Sequence, residues 1–420
     1  MNLFNNILKS NFIKNAAKLA TGTALAQVLA LAFLPILSRI YSQEAFGLLA
    51  AFTAVMTLIT SFATLKYDTA LVLPKEDKDA YALLKLSNII TIIITIICVL
   101  ILFLPIPYFQ EYQGLQIFIG IGVILSVNYN NSALWNIRFK QYNSTSISKI
   151  IQSIAIFIFQ YLLYSFFELR GLVIGNILGI SVSGLYLILS RKFDWSLYKS
   201  INKKEMLKQA KRYIDFPKYF TISNAVLSFS SSLPVLLFVK FIPLAQIGLY
   251  GIALRIIAQP VNLISNSLKS VILGDMAEKR NSNKPILKWY LRIFSGLFII
   301  SIIASVLLIL FSEYIITFFL GADWNESAIY IKMLTPLLVS MMIASPGIAA
   351  VRVFEMQKYT FKYSIVSLAI KAATLLTLFL YEIATFEYII LIYSLVNLTI
   401  VLMNNSIIML KIKLYEKEIR

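Results

Sequence analysis

Apolar runs of membrane-crossing length recur along the whole 420-residue chain, parted by short polar breaks. A helical crossing takes roughly 17–25 apolar residues. Lipid cannot satisfy the open edge of a sheet, so spans of this kind are helices. The pattern predicts twelve, at about 19–42, 46–64, 86–105, 115–136, 147–167, 170–190, 219–240, 246–273, 290–312, 327–351, 363–382 and 387–410. The longest connection, about 191–218, is too short for a separate domain. The predicted class is an all-α polytopic membrane protein whose work is done within its helices.

One polar break is repeated. "SRIYSQEAFG" (Ser38–Gly47) is echoed 201 positions later by "VKFIPLAQIG" (Val239–Gly248), each with a basic residue eight places before a glycine. Both follow the first span of a set of six. The expected architecture is therefore two six-helix lobes, 1–200 and 201–420, in the same orientation around a central cavity. Parallel repeats of this kind form transporters, with the substrate path between the halves.

Charge gives the direction. Only 14% of residues are charged, against about 25% in soluble domains. The net charge of +18 would suggest nucleic acid in a soluble protein. Here 31 basic residues fall in loops on the side of the N-terminus and three (Arg39, Arg170 and Lys240) in the opposite loops. Basic loops stay cytoplasmic, so both termini are predicted to be cytoplasmic and no nucleic-acid partner is needed. The chain has no His and a single Cys, Cys98. Histidine catalysis, an intrachain disulfide and a zinc cluster are thereby excluded, and no cofactor or metal is expected. The first apolar stretch lacks a small-residue cleavage site, so it is expected to be retained as a helix.

Polar positions inside the spans carry the candidate chemistry. In the eighth span Arg255, Gln259, Asn262, Asn266 and Lys269 are spaced 4, 3, 4 and 3, which places them on one helical face. The second span repeats the pattern with Thr53, Thr57, Thr60 and Thr64, and Asp68 extends it. Thr221, Asn224, Ser228 and Ser231 follow in the seventh, and Thr23, Gln27 and Ser38 in the first. Ser and Thr alone suit ordinary helix contacts. The eighth-span stripe does not, because buried cations are expensive in lipid. It calls for a wet cavity, expected between the first, second, seventh and eighth helices. Lys269 and Lys332 sit near span ends and can snorkel. Lys371 is mid-span, and Arg255 lies roughly 10 Å below the outer surface at 1.5 Å per residue. No Asp or Glu stands mid-span to pair with them, which suggests an anionic cargo. An arginine fork suits a phosphate. Pro35, Pro234, Pro260, Pro336 and Pro346 are expected to break their helices.

"LSRIYSQEAFG" and "KYDTALVLPKEDKDA" in the first half, with "IGLYGIALRIIAQP" in the second, resemble the polysaccharide flippase (Wzx-type) family of the multidrug/oligosaccharidyl-lipid/polysaccharide exporter superfamily. The resemblance implies a two-lobed, twelve-helix fold with a cationic cavity. It also implies a cargo of undecaprenyl-pyrophosphate-linked oligosaccharide, flipped from the cytoplasmic to the outer leaflet of the bacterial inner membrane for O-antigen or capsule synthesis. Membrane lipid, a polysaccharide polymerase and a chain-length regulator are the implied partners. Arg255 carries over as the basic residue of "ALRI" and Asp68, a candidate for ion coupling, as the acid of "KYDTALVLP". The expected substrate-binding set is Arg255, Lys371, Gln259, Asn262 and Asn266. A multidrug/cation antiporter of the same superfamily would want acids at mid-membrane. A polysaccharide polymerase or glycosyltransferase would want a large loop or clustered carboxylates.

The topology is testable with single cysteines at Ser42 and Ser282 in a Cys98→Ala background. An impermeant thiol reagent on intact cells should label position 42 and spare 282; the reverse pattern would overturn the orientation.

Overall fold

The computed structural model describes residues 11–110, 112–381 and 385–419. Among them there is no strand. Twelve long helices follow in chain order: α1 (Asn11–Ser38), α2 (Gln43–Phe62), α3 (Asp77–Leu102), α4 (Gln116–Arg138), α5 (Tyr142–Phe167), α6 (Gly171–Ser190), α7 (Ile222–Phe241), α8 (Leu244–Asn281), α9 (Leu287–Leu320), α10 (Ser327–Val353), α11 (Gln357–Leu380) and α12 (Phe386–Ile419). Eleven stretches are long and apolar enough to cross a membrane, and one of them, Tyr142–Ser190, holds both α5 and α6. A single 3-10 turn, Glu168–Arg170, parts those two, so the crossings number twelve. The chain is a multi-pass membrane protein. It divides into two compact units, Met1–Lys240 and Phe241–Arg420.

In the first unit α4 is the hub. It packs on α2, α3 and α6, while α5 packs on α6 and α1. The α5–α6 contact is made by glycines one turn apart, Gly171, Gly175 and Gly179. A Cβ on Gly175 would stand 2.6 Å from the Gln160 backbone nitrogen, and one on Gly179 2.6 Å from that of Ile156. Small residues let membrane helices touch backbone to backbone, where dispersion replaces the absent hydrophobic drive. Polar ties add to the packing. Asn131 Nδ2 donates to Asn88 Oδ1 at 2.8 Å, and Gln160 Nε2 donates to the Leu172 carbonyl at 2.9 Å. The first repeated break is a corner. Buried Tyr41 donates its hydroxyl to the Gln160 carbonyl at 2.6 Å, and Ser42 caps α2.

The connection after α6 is docked rather than loose. Asp194 caps a short helix, Trp195–Ser200, and an Asn202/Glu205 capping box starts another, Lys203–Arg212. Trp135, fully buried, donates Nε1–H to the Lys192 carbonyl at 2.9 Å. Tyr81 packs against Trp135 and Phe193 at 4.5 and 5.0 Å between centroids. Lys85 Nζ donates to the Ile201 carbonyl at 2.8 Å. Lys78 pairs with Glu205; with the Asn202 backbone N–H, it holds the Glu205 carboxyl below its usual range.

The second unit has its hub at α10, which packs on α8, α9 and α12. Helices two, three and six of each set thus surround helix four. Asn397 Nδ2 donates to Ser340 Oγ at 2.6 Å, and Tyr290 donates its hydroxyl to Asn405 Oδ1. Helix α12 runs beyond its predicted end, and its Glu416 carboxylate accepts from the Ile286 and Leu287 amides. A carboxylate there meets the positive end of the α9 dipole. Two expectations need correction. The five prolines do not break their helices, which run through them. At the end of α1 Ser38 Oγ donates to the Pro35 carbonyl at 3.1 Å. Lys332 is held by an ion pair with Glu313 of α9 rather than by snorkelling alone.

The glycine contacts predict opposite signs for one chemical change. Alanine is the better helix former by about 1 kcal/mol, and Gly296 has nothing within 4 Å of an added Cβ. Gly296→Ala should leave thermal unfolding in detergent unchanged or raised. Gly175→Ala and Gly179→Ala should lower it, by about 1–3 kcal/mol for an overpacked contact. Equal effects at all three positions would remove the close-approach account of α5–α6.

Candidate functional site

A polar cavity of about 400 Å³ lies within the first unit. Helix α2 lines it with Thr57, Thr60 and Ser61, and Thr64 follows just past its end; α4 adds Ser126, Tyr129 and Asn130, α5 Gln152, and α7 Asn224 and Ser228. Lys66 and Asp68, in the turn after α2, complete the polar wall, and Met56, Val127 and Ile180 are its apolar members. The threonines reach it because their spacing keeps them on one face of α2. Asn224 and Ser228 follow a wide π-type turn at Phe216–Thr221 that contains Pro217; such turns recur at functional sites. Asn224 Nδ2 donates to the Phe220 carbonyl at 2.9 Å. The buried Thr60 hydroxyl has no partner among the described residues.

The turn after α2 is strained and firmly held. Leu65 and Lys66 are consecutive non-glycine residues at φ +47° and +58°, a conformation costing roughly 1–2 kcal/mol per residue. Thr64 supports both flanks: its Oγ1 donates to Asp68 Oδ1 at 2.7 Å and accepts from the Lys66 amide at 3.1 Å. Tyr67, buried, donates its hydroxyl to the Ala210 carbonyl at 3.2 Å. Arg138 Nη1 donates to the carbonyls of Leu71 and Pro74 at 3.2 and 2.6 Å, and its Nη2 pairs with Asp77 at 2.9 Å. The aromatic cluster under the connection therefore also fixes the cavity's charged corner. Chemically, the wall offers neutral hydroxyls and amides, one ammonium and one carboxylate. Among the described residues no group of three His, Cys, Asp or Glu is placed to hold a metal.

Asp68 is thus on the cavity wall, only 8% exposed. Arg255, Gln259 and Asn262 belong to α8 of the second unit. There Ile252, Ala253 and Ile257 form the buried face of the helix, while Arg255 and Gln259 are half-buried and Asn262 is exposed. Arg255 has no hydrogen-bond or ion-pair partner among the described residues, and Gln259 Oε1 is buried without one. The Asn266 side chain lies outside the described residues. Lys371 is half-buried on α11, which packs chiefly on α12, whereas α8 packs chiefly on α10.

Of the helices expected to line a cavity, the second and seventh line this one, together with the fourth, fifth and sixth. Helix α1 packs on α5 instead, and its Thr23 Oγ1 accepts from Lys149 Nζ at 2.6 Å. Six polar lining residues went unrecognised in the sequence: Ser61, Lys66, Ser126, Tyr129, Asn130 and Gln152. Ser126 and Asn130 are one turn apart, but Asn128, Asn131 and Ser132 surround them and blur the face. Lys149, counted with the loop cations, stands inside α5, three residues before Gln152.

Over 96% of its length the chain is similar in fold to the lipid II flippase MurJ in an inward closed conformation, with TM-score 0.70, 16% identity and 90% of that chain covered. It is also similar to an inward-facing multidrug resistance MATE family transporter of the MOP superfamily, with TM-score 0.66, 13% identity, and 95% and 96% of the two chains covered. An outward-facing transporter of that family gives TM-score 0.56 at 12% identity, over 97% and 96%. No curated protein matches the sequence. The family model for polysaccharide biosynthesis proteins matches residues 36–329, and the chain belongs to that family.

Proposed function

We propose that this protein is a flippase that moves an oligosaccharide repeat unit on undecaprenyl pyrophosphate from the cytoplasmic to the outer leaflet, for a surface polysaccharide such as O-antigen or capsule. On this reading it sits in the bacterial inner membrane with both termini cytoplasmic, and it makes or breaks no bond in its cargo. The observation that carries the proposal is the cavity of the first unit, in a chain of the polysaccharide biosynthesis family. Its wall is rich in side chains that both donate and accept hydrogen bonds, which is what sugar hydroxyls require.

The pyrophosphate is assigned to the second unit, where Arg255 has no partner among the described residues and Lys371 supplies a second cation. Gln259, Asn262 and Asn266 continue that face of α8. Asp68 is the residue proposed to couple transport to an ion, because it is the one carboxylate among the described residues of the cavity wall. A multidrug/cation antiporter is the second reading, favoured by that same carboxylate. The cargo separates the two.

The test combines flipping of an undecaprenyl-pyrophosphate oligosaccharide in proteoliposomes with surface polysaccharide in a deletion strain, at matched protein levels. Arg255→Ala should lower flipping at least tenfold, through loss of roughly 1.5–3 kcal/mol for a charged hydrogen bond. Arg255→Lys should lower it less but measurably, since an ammonium lacks the bidentate fork, and Lys371→Arg should be tolerated. Thr60→Val with Asn224→Leu should impair flipping without changing membrane abundance. Normal polysaccharide from a well-expressed Arg255→Ala/Lys371→Ala double variant would sink the anion assignment. Drug efflux without flipping would replace the proposal with the antiporter.

A further inference from the structure

A second cavity, of about 600 Å³, lies where α3 gives way to α4, on the side that the loop charges predict to be outside. Its lining includes Phe103, Phe109 and Phe118 together with Gln110, Gln113 and Gln116. None of these residues lines the polar cavity described above. We propose that this second cavity is a binding site for neutral carbohydrate, holding a glycan of a few sugar units at the outer face.

Gln116 points to a ligand. It is only 6% exposed, opens α4, and makes no hydrogen bond among the described residues. A primary amide carries two donors and two lone pairs, and burying it unmet is costly. Its remaining neighbour is the cavity. Gln110 and Gln113 bring two more amides to the same wall. Among the described residues the lining itself carries no ionisable side chain. A bare acyl chain would leave the buried Gln116 amide unmet. A sugar ring meets both demands: its hydroxyls donate and accept, and its C–H faces lie against phenyl rings. An apolar pocket with a few converging polar groups is the usual form of a small-ligand site.

The walls are held in place. Tyr108, in the short turn of helix Pro107–Gln110, donates its hydroxyl to the Leu236 carbonyl of α7 at 2.6 Å. Gly114 takes φ +77°, and the Arg170 guanidinium occupies the space a side chain there would need. The cavity is therefore built before any ligand arrives.

The probe is a fraction of neutral di- to tetrasaccharides released by mild acid from the host cell's own surface polysaccharide; only in that choice does the inference rest on the proposed function. With the protein in lipid nanodiscs, saturation-transfer NMR should show contact to these sugars. Gln116→Leu and Phe109→Ala should each weaken the titrated affinity at least tenfold, at unchanged melting temperature. Asn224→Leu, in the other cavity, should leave this affinity unchanged while impairing flipping. If the wild type binds the sugars but does not flip the lipid-linked cargo, the transport reading falls and this one stands. Absence of saturation transfer, or equal affinity in Gln116→Leu, would overturn it. So would a phospholipid that native mass spectrometry finds on the wild type and not on Gln116→Leu. Should Gln116→Leu fail to fold, the Phe109→Ala titration decides alone.

Discussion

A polar side chain in hydrocarbon must find a partner, and that constraint orders everything else in this chain. The helix satisfies the backbone internally; the side chains have to be settled one by one. Most are. Asn131 meets Asn88, Gln160 meets the Leu172 carbonyl, and Asn397 meets Ser340. Each such bond is worth only about 0.6–2 kcal/mol in a membrane, too little to drive assembly. Leaving the group unmet costs several kcal/mol, which is enough to dictate where it points. Among the described polar groups without a partner, Thr60 and Gln116 line cavities, and there they mark places that water or a ligand fills.

Packing supplies the frame on which those positions are held. The same plan serves both sets of helices, with the fourth member surrounded by the second, third and sixth. Glycines bring α6 onto the backbone of α5. The strained turn at Leu65 and Lys66 shows how far this support reaches. Two left-handed residues persist because Tyr67 is anchored on Ala210 and Arg138 collects the carbonyls beyond. A distant connection thus sets the position of Asp68 and Lys66. Sequence dictates the aromatic cluster, the cluster holds the turn, and the turn places the charges.

Much of the fold was legible because its signals are local. Span length, loop charge and the spacing of the α2 threonines each need one stretch of chain, and the twelve helices and the threonine wall followed from them. Signals that depend on a distant partner were not legible. Lys332 reads as a snorkelling residue until Glu313 appears beside it. Asn130 reads as one of several polar residues on α4 until Asn131 is seen to be spent on α3. The prolines read as breaks because a proline in water costs about 3 kcal/mol in a helix interior. In lipid an open break would cost more, so the helices continue through them.

The cations sort themselves by the same rule. Arg138 is met by Asp77 and two carbonyls, Lys149 by Thr23, and Lys332 by Glu313. Arg255, on the less buried face of α8, is met by none of the described residues. The wall of the first unit's cavity, by contrast, carries Lys66 and Asp68, whose charges cancel in sum, and is otherwise neutral. On the proposed reading this division follows the cargo's own chemistry. A glycan head offers hydroxyls and no charge, and binding it in a cavity with a net field would gain nothing. A pyrophosphate offers concentrated negative charge, and a guanidinium kept free of resident carboxylates loses no affinity to internal competition. Keeping acids away from Arg255 is then a condition of binding and not an accident of composition. The same absence makes the site costly when empty, which favours states in which either water or the anion is present.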